Sequence, residues 1–265
     1  MPLHHTQFFS QALGIAVSID VITPLKAWKP GAAPDVTKHP TLYLLHGDSD
    51  DHSIWQRRTS IERYVEDYDL AVVMPAVNRS FYADQKIGFN YWTFVSEELP
   101  YVARSLFPLS DLREDNFVAG LSMGGYGAFK MALAHPERFS LAASLSGAVD
   151  IDSIYKGASK EWLAELKCTF GPRKEAVGSE NDLYFLAKRA SEAKGPMPKL
   201  YQYCGTEDFL YKANQKFRPY LEGLGFDLTY EEGPGDHQWK YWDEKIQTFL
   251  KMLPLKEINP KPQEG

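Results

Sequence analysis

The sequence predicts an α/β fold, with a mostly parallel central sheet, helices on both faces and a small helical insertion over one end. Three observations carry that expectation. Continuous apolar runs of strand length recur at 41–45, 70–74 and 116–120, the pattern of strands covered on both faces. Stretches of helical length and periodicity lie between them. Residues 150–197 then interrupt the alternation, being more polar and without clear strand runs.

In chain order, residues 8–23 alternate (Ile15, Val17, Ile19, Val21) and predict an early antiparallel strand pair. Residues 26–40, rich in Pro, Gly and Ala, predict a loop. After the strand at 41–45, the apolar spacing of 55–68 predicts a helix. A second helix is expected over 97–107, with Pro100 in its first turn. The strand at 116–120 leads into a helix over 124–135, which Pro136 stops. Residues 139–149 predict another strand. The Gly-Pro pairs at 171–172 and 195–196 punctuate a cap-like insertion of short helices over 150–197. Strands are expected again at 199–204 and 227–231, with helices over 210–223 and 239–253. The tail from Pro254 is expected to fray.

The 265 residues are read as one domain, 1–265. Size scaling leaves roughly 12,000 Å² exposed out of roughly 44,000 Å² unfolded, enough burial for a core without disulfides or metals. Apolar residues at 44% and charged residues at 24% exclude a disordered chain. A net charge of −6 argues against nucleic acid or an anionic membrane as the main partner. Two cysteines, Cys168 and Cys204, make neither a disulfide framework nor a four-ligand zinc site. No basic-then-apolar leader opens the chain and no apolar run approaches the roughly 20 residues of a membrane span. The expected location is the cytoplasm. Homo-oligomerisation is left open.

The strongest local signal is Gly120-Leu121-Ser122-Met123-Gly124-Gly125, a G-x-S-x-G at the junction of a strand and a helix. That setting is what a nucleophile elbow requires. A serine on so sharp a turn needs small neighbours two residues away, where strand and helix backbones approach. A serine hydroxyl also needs a base, and the base an orienting carboxylate. Among seven histidines only His237 follows a late strand, in the turn-rich loop Gly233-Pro234-Gly235-Asp236-His237. For the acid, Asp208 and Glu207 both follow the strand at 199–204. Asp208 is preferred, with Glu207 as the competitor. Asp236 is set aside because a sequence neighbour usually points its side chain away. Two N–H groups would hold the oxyanion: that of Met123, after the nucleophile, and that of Asp48, in the loop after 41–45, where Gly47 lets the backbone turn close to a ligand. No metal is expected, since His46 and His52 have no recognised zinc spacing and H-E-x-x-H is absent. No cofactor is expected either, because neither phosphate-cradling glycine loop occurs.

His46-Gly47, Gly-Leu-Ser-Met-Gly-Gly-Tyr-Gly-Ala at 120–128, Cys-Gly-Thr-Glu-Asp-Phe-Leu at 204–210 and Gly-Asp-His at 235–237 together resemble the esterase D family. The resemblance is nearest to bacterial tributyrin esterases, which that family groups with S-formylglutathione hydrolases. Trp55, Glu-Glu-Leu-Pro at 97–100 and His-Pro-Glu-Arg-Phe at 135–139 extend it over roughly residues 8–253. It implies an α/β-hydrolase with Ser122, Asp208 and His237 as triad, fixing Asp208 over Glu207. It also implies a serine carboxylesterase taking small esters with short acyl chains. The acidic turn Asp48-Ser49-Asp50-Asp51 departs from relatives and is expected to repel anionic substrates. Aromatic residues in the loops at the carboxyl ends of strands (Phe81, Tyr82 and Trp92, and Trp239 after His237), together with Gly47 and Trp55, are the expected substrate-binding set. They motivate the alternatives of an acetylxylan- or feruloyl-type esterase; S-formylglutathione thioester hydrolysis is a further one.

Overall fold

The computed structural model describes residues 1–26, 30–31 and 36–258. The strands, in chain order, are β1 (Leu3–Ser10), β2 (Ile15–Ile22), β3 (Thr41–Leu45), β4 (Ala71–Pro75), β5 (Asn116–Leu121), β6 (Leu141–Leu145), β7 (Lys199–Gly205) and β8 (Leu228–Gly233). They form one sheet in the order β1-β2-β4-β3-β5-β6-β7-β8. The β1–β2 and β2–β4 pairings are antiparallel and the rest are parallel. The early pair therefore forms as expected, though β1 begins five residues before the alternation at 8–23 suggested.

The helices are α1 (Ile54–Arg58), α2 (Ile61–Val65), α3 (Tyr91–Thr93), α4 (Leu99–Leu106), α5 (Met123–Ala134), α6 (Ile151–Gly157), α7 (Lys160–Phe170), α8 (Arg173–Ala176), α9 (Leu183–Glu192), α10 (Tyr211–Gly223) and α11 (Trp239–Met252). The single helix expected over 55–68 is two. The Thr59 hydroxyl donates to the Trp55 carbonyl and accepts from the Ile61 N–H, so one side chain ends α1 and starts α2. The helix expected at 97 begins at Tyr91 and passes through a π turn at Phe94–Glu98. Pro100 has no N–H to give Ser96, and the Ser96 carbonyl takes the Arg138 guanidinium at 2.9 Å instead. Between β6 and β7 the chain makes α6 to α9. Asp150, Ser159 and Asp182 cap three of them by accepting backbone N–H groups.

Two apolar layers cover the sheet. On β5, Phe117, Ala119 and Leu121 face the layer holding Trp55, Ile246 and Phe249, while Val118 faces Phe129 and Phe217. With both faces covered, the parallel strands read as continuous apolar runs. Among the described residues no helix is long and apolar enough to cross a membrane. Part of the expected 26–40 loop (27–29 and 32–35) and the end of the tail (259–265) lie outside the described residues.

Candidate active site

Ser122 sits between β5 and α5 with φ 52° and ψ −118°, a left-handed backbone that few non-glycine residues adopt. Backbone contacts hold it there. Its N–H donates to the Leu145 carbonyl at 2.9 Å, and its carbonyl accepts from Tyr126 and Ala148. The glycine requirement is steric. A Cβ on Gly124 would lie 2.5 Å from the Leu45 carbonyl oxygen and 2.6 Å from that of His46. One on Gly120 would strike the Gly124 backbone and come within 2.9 Å of Leu45 Cβ.

The carboxyl ends of β5, β7 and β8 bring three side chains together. His237 Nε2 lies 3.0 Å from Ser122 Oγ, and His237 Nδ1 lies 2.8 Å from Asp208 Oδ2. Asp208 is buried, and its other oxygen accepts the Leu210 N–H at 2.8 Å. The competitors point elsewhere. Glu207 accepts the Gly235 N–H, and Asp236 takes the Gln238 amide. Gly205 admits the His237 loop, since a Cβ there would collide with the Gly235 backbone.

Beside the serine, the turn after β3 is braced from below. Buried His46 bridges two loops: its Nδ1 donates to the Gly47 carbonyl at 2.7 Å and its Nε2 accepts the Val77 N–H at 3.0 Å. Burial pulls this imidazole down to about 4, against its hydrogen bond to Gly47. Tyr82 donates its hydroxyl to the His46 carbonyl at 2.9 Å, and the Trp55 indole donates to the Leu45 carbonyl at 3.0 Å. Tyr82 belongs to a loop in which Asn78, Phe81 and Tyr82 all have φ near 50°. Each such residue costs on the order of 1–3 kcal/mol. The strain is offset by anchors: Phe81 N–H on Met123 Sδ, Lys130 Nζ on the Tyr82 carbonyl, and the Tyr82 ring against Gly127. Burial lowers Lys130 to about 7, while Asp84 and Glu180 pull it back up.

The expected binding residues divide. Gly47 lies beside Ser122, where a Cβ would meet Leu121 Cδ1 at 2.7 Å. Trp239 is half-buried against Trp55 and Trp242. Trp55 and Tyr82 are wholly buried and brace the Asp48 turn from beneath rather than facing a ligand, and Phe81 packs on Tyr126 and Phe170. Trp92 stacks on His135 near Lys130, eight residues down α5 from Ser122 and hence about 12 Å away along the helix. The N–H groups of Asp48 and Met123 make no hydrogen bond among the described residues. The acidic turn is partly neutralised. Arg79 Nη2 reaches Asp48 at 3.3 Å and Glu165 of α7 at 2.7 Å, and Arg57 reaches Asp51 at 3.4 Å. Burial raises the Asp48 carboxyl, while Arg79 opposes that shift. Both cysteines are free, and burial pushes the Cys204 thiol up. The residue missed from sequence is Phe209, whose exposed ring lies 4.5 Å from the His237 imidazole.

Comparison with known proteins gives this geometry its setting. The Esterase family model matches residues 10–253. An acetyl esterase of Caldicellulosiruptor saccharolyticus is 32% identical over 262 residues, covering 96% of this chain and 98% of that protein. The Staphylococcus aureus fluorophosphonate-binding serine hydrolase F superposes with a TM-score of 0.87 at 33% identity, over 98% of this chain and 99% of the other. The S-formylglutathione hydrolase FrmB of Staphylococcus aureus gives 0.83, also at 33% identity, over 98% and 100%. The chain belongs to the Esterase family and is a serine esterase on the α/β-hydrolase fold, of the esterase D kind.

Proposed function

We propose that this protein hydrolyses short-chain carboxylic esters through an acyl group carried on Ser122. The carrying observation is the hydrogen-bonded relay from Ser122 Oγ through His237 to Asp208, set on a strained turn that presents the hydroxyl. Ser122 Oγ attacks the ester carbonyl carbon and its proton passes to His237 Nε2. Asp208, held by the Leu210 N–H, fixes the Nδ1–H tautomer and stabilises the imidazolium. The oxygen that gains charge is taken by the unengaged N–H groups of Met123 and Asp48, each worth on the order of 10²–10³ in turnover. His237 then protonates the departing alcohol. Water then attacks the acyl carbon and gives a proton to the same nitrogen; as the bond to Ser122 Oγ breaks, that proton passes to Oγ and the acid leaves.

The preference for small acyl groups is supported by the acetyl esterase relative, 32% identical over nearly the whole of both chains. The aromatic case for a feruloyl ester weakens, because Trp55 and Tyr82 are wholly buried. The test is hydrolysis of p-nitrophenyl esters from acetate to octanoate, with Ser122→Ala in parallel. The expected outcome is fastest turnover from acetate to butyrate and a loss of about 10⁴-fold or more in the variant. Normal turnover by Ser122→Ala overturns the proposal.

A further inference from the structure

Two aromatic rings pack on the His237 imidazole. Trp242 meets it edge-on at 84°, with centroids 4.8 Å apart, and is itself buried. Phe209 meets it at 48°, with centroids 4.5 Å apart, and is 72% exposed. The ring nitrogens are engaged by Ser122 and Asp208. Phe209 follows Asp208 directly, so the backbone that places the carboxylate also places this ring. A large apolar side chain left in water forgoes burial that a core position would give it. Here it borders the one group that must reach the departing alcohol.

In the proposed reaction the tetrahedral carbon collapses by breaking its bond to the alcohol oxygen. The carbonyl re-forms, Ser122 keeps the acyl group, and the proton on His237 Nε2 goes to the alcohol. The alcohol oxygen must therefore lie within hydrogen-bond reach of Nε2. Its carbon chain runs out past the surfaces that flank the imidazole, of which Trp242 is buried and Phe209 is open. We infer that Phe209 is the platform for the alcohol portion of the ester, favouring alcohols with an aryl or alkyl body over one of ethanol size. This rests on the serine-esterase mechanism proposed above and adds to it the leaving-group preference.

The experiment compares ethyl acetate with 2-phenylethyl acetate, which share an acyl group. The wild-type protein is expected to favour the phenylethyl ester in kcat/KM. Phe209→Ala is expected to lose about fivefold to tenfold on that ester, and no more than about twofold on ethyl acetate. Phe209→Leu should fall between. A small fluorophosphonate supplies the control. It needs His237 to activate Ser122, but its leaving group is fluoride, so its inactivation rate should change by less than about twofold in Phe209→Ala. An unchanged preference between the two esters overturns the platform. So does a parallel fall in the inactivation rate, which would mean that Phe209 only holds the imidazole. Failure of the wild-type protein to take the label on Ser122 overturns the serine mechanism, and the platform with it.

Discussion

Two shoulders flank Ser122, and they are held by different physics. On the elbow side, β5 and α5 meet backbone to backbone, and the glycines at 120 and 124 are there because nothing larger fits. On the side of the Asp48 turn, side chains do the holding. His46, Tyr82 and Trp55 each donate a polar hydrogen to a backbone carbonyl at the end of β3 or in the turn that follows it. Steric support is insensitive to pH and fails when an atom is added. Polar support fails when a donor is removed or a proton arrives. The contrast teaches that one turn tolerates no methyl group and the other no misplaced charge.

Adding a methyl group is the largest perturbation. Gly124→Ala places a carbon against two backbone oxygens at 2.5 and 2.6 Å, neither of which is the end of a flexible side chain. We expect a stability loss of about 3 kcal/mol, read by urea denaturation. Whatever still folds should show kcat/KM lower by on the order of 10²-fold, since the serine is displaced from His237. If both quantities match the wild type, close backbone approach does not hold the elbow.

Acid tests the other shoulder. The buried His46 titrates near 4 in the folded protein, against about 6.5 for an unfolded chain. Between those values the unfolded chain holds the extra proton. The contribution is therefore complete above about 6.5 and is lost as the pH falls towards 4. Protonated Nε2 could no longer accept the Val77 N–H. His46→Gln keeps a donor and an acceptor but does not titrate. From pH 7 to pH 5 the wild type should lose about 2 kcal/mol more unfolding free energy than the variant. Equal losses would show that His46 is not the group that makes this turn sensitive to acid.

The same contrast explains what the sequence made legible. Steric demand writes itself as glycine at fixed offsets from Ser122, so the elbow could be read directly. The meeting of Ser122, Asp208 and His237 was legible through the alternation of strands and helices and the ends it leaves at β5, β7 and β8. Choosing Asp208 over Glu207 needed the family resemblance, because adjacent carboxylates differ only in where the backbone aims them. The bracing residues were misplaced. Trp55 and Tyr82 read as pocket aromatics because a ring in a loop looks the same in sequence whether it points out or in. What turns Tyr82 inward is a run of positive-φ residues, Asn78, Phe81 and Tyr82, and two of the three are aromatic residues that announce no such backbone. Phe209 is a single exposed ring with no periodicity to mark it. The division of the expected 55–68 helix came from one threonine hydroxyl serving two helix ends, which competes locally with apolar spacing that runs through it.

Removing one donor is the smallest perturbation and sharpens the comparison most. Tyr82→Phe keeps the ring against Gly127 and deletes only the hydroxyl that donates to the His46 carbonyl at 2.9 Å. A buried carbonyl deprived of its donor costs about 1 kcal/mol or somewhat more, so the variant should fold with a modest loss of stability. If the Asp48 N–H stabilises the transition state, the loosened turn should lower kcat by about threefold to tenfold, a fraction of the effect of losing the donor outright. KM should stay within about twofold, because the ground-state carbonyl needs that N–H far less than the oxyanion does. A variant that loses stability but keeps kcat would make Tyr82 a packing residue alone. A rise in KM at constant kcat would place its effect on substrate binding instead of on the charge that develops during reaction.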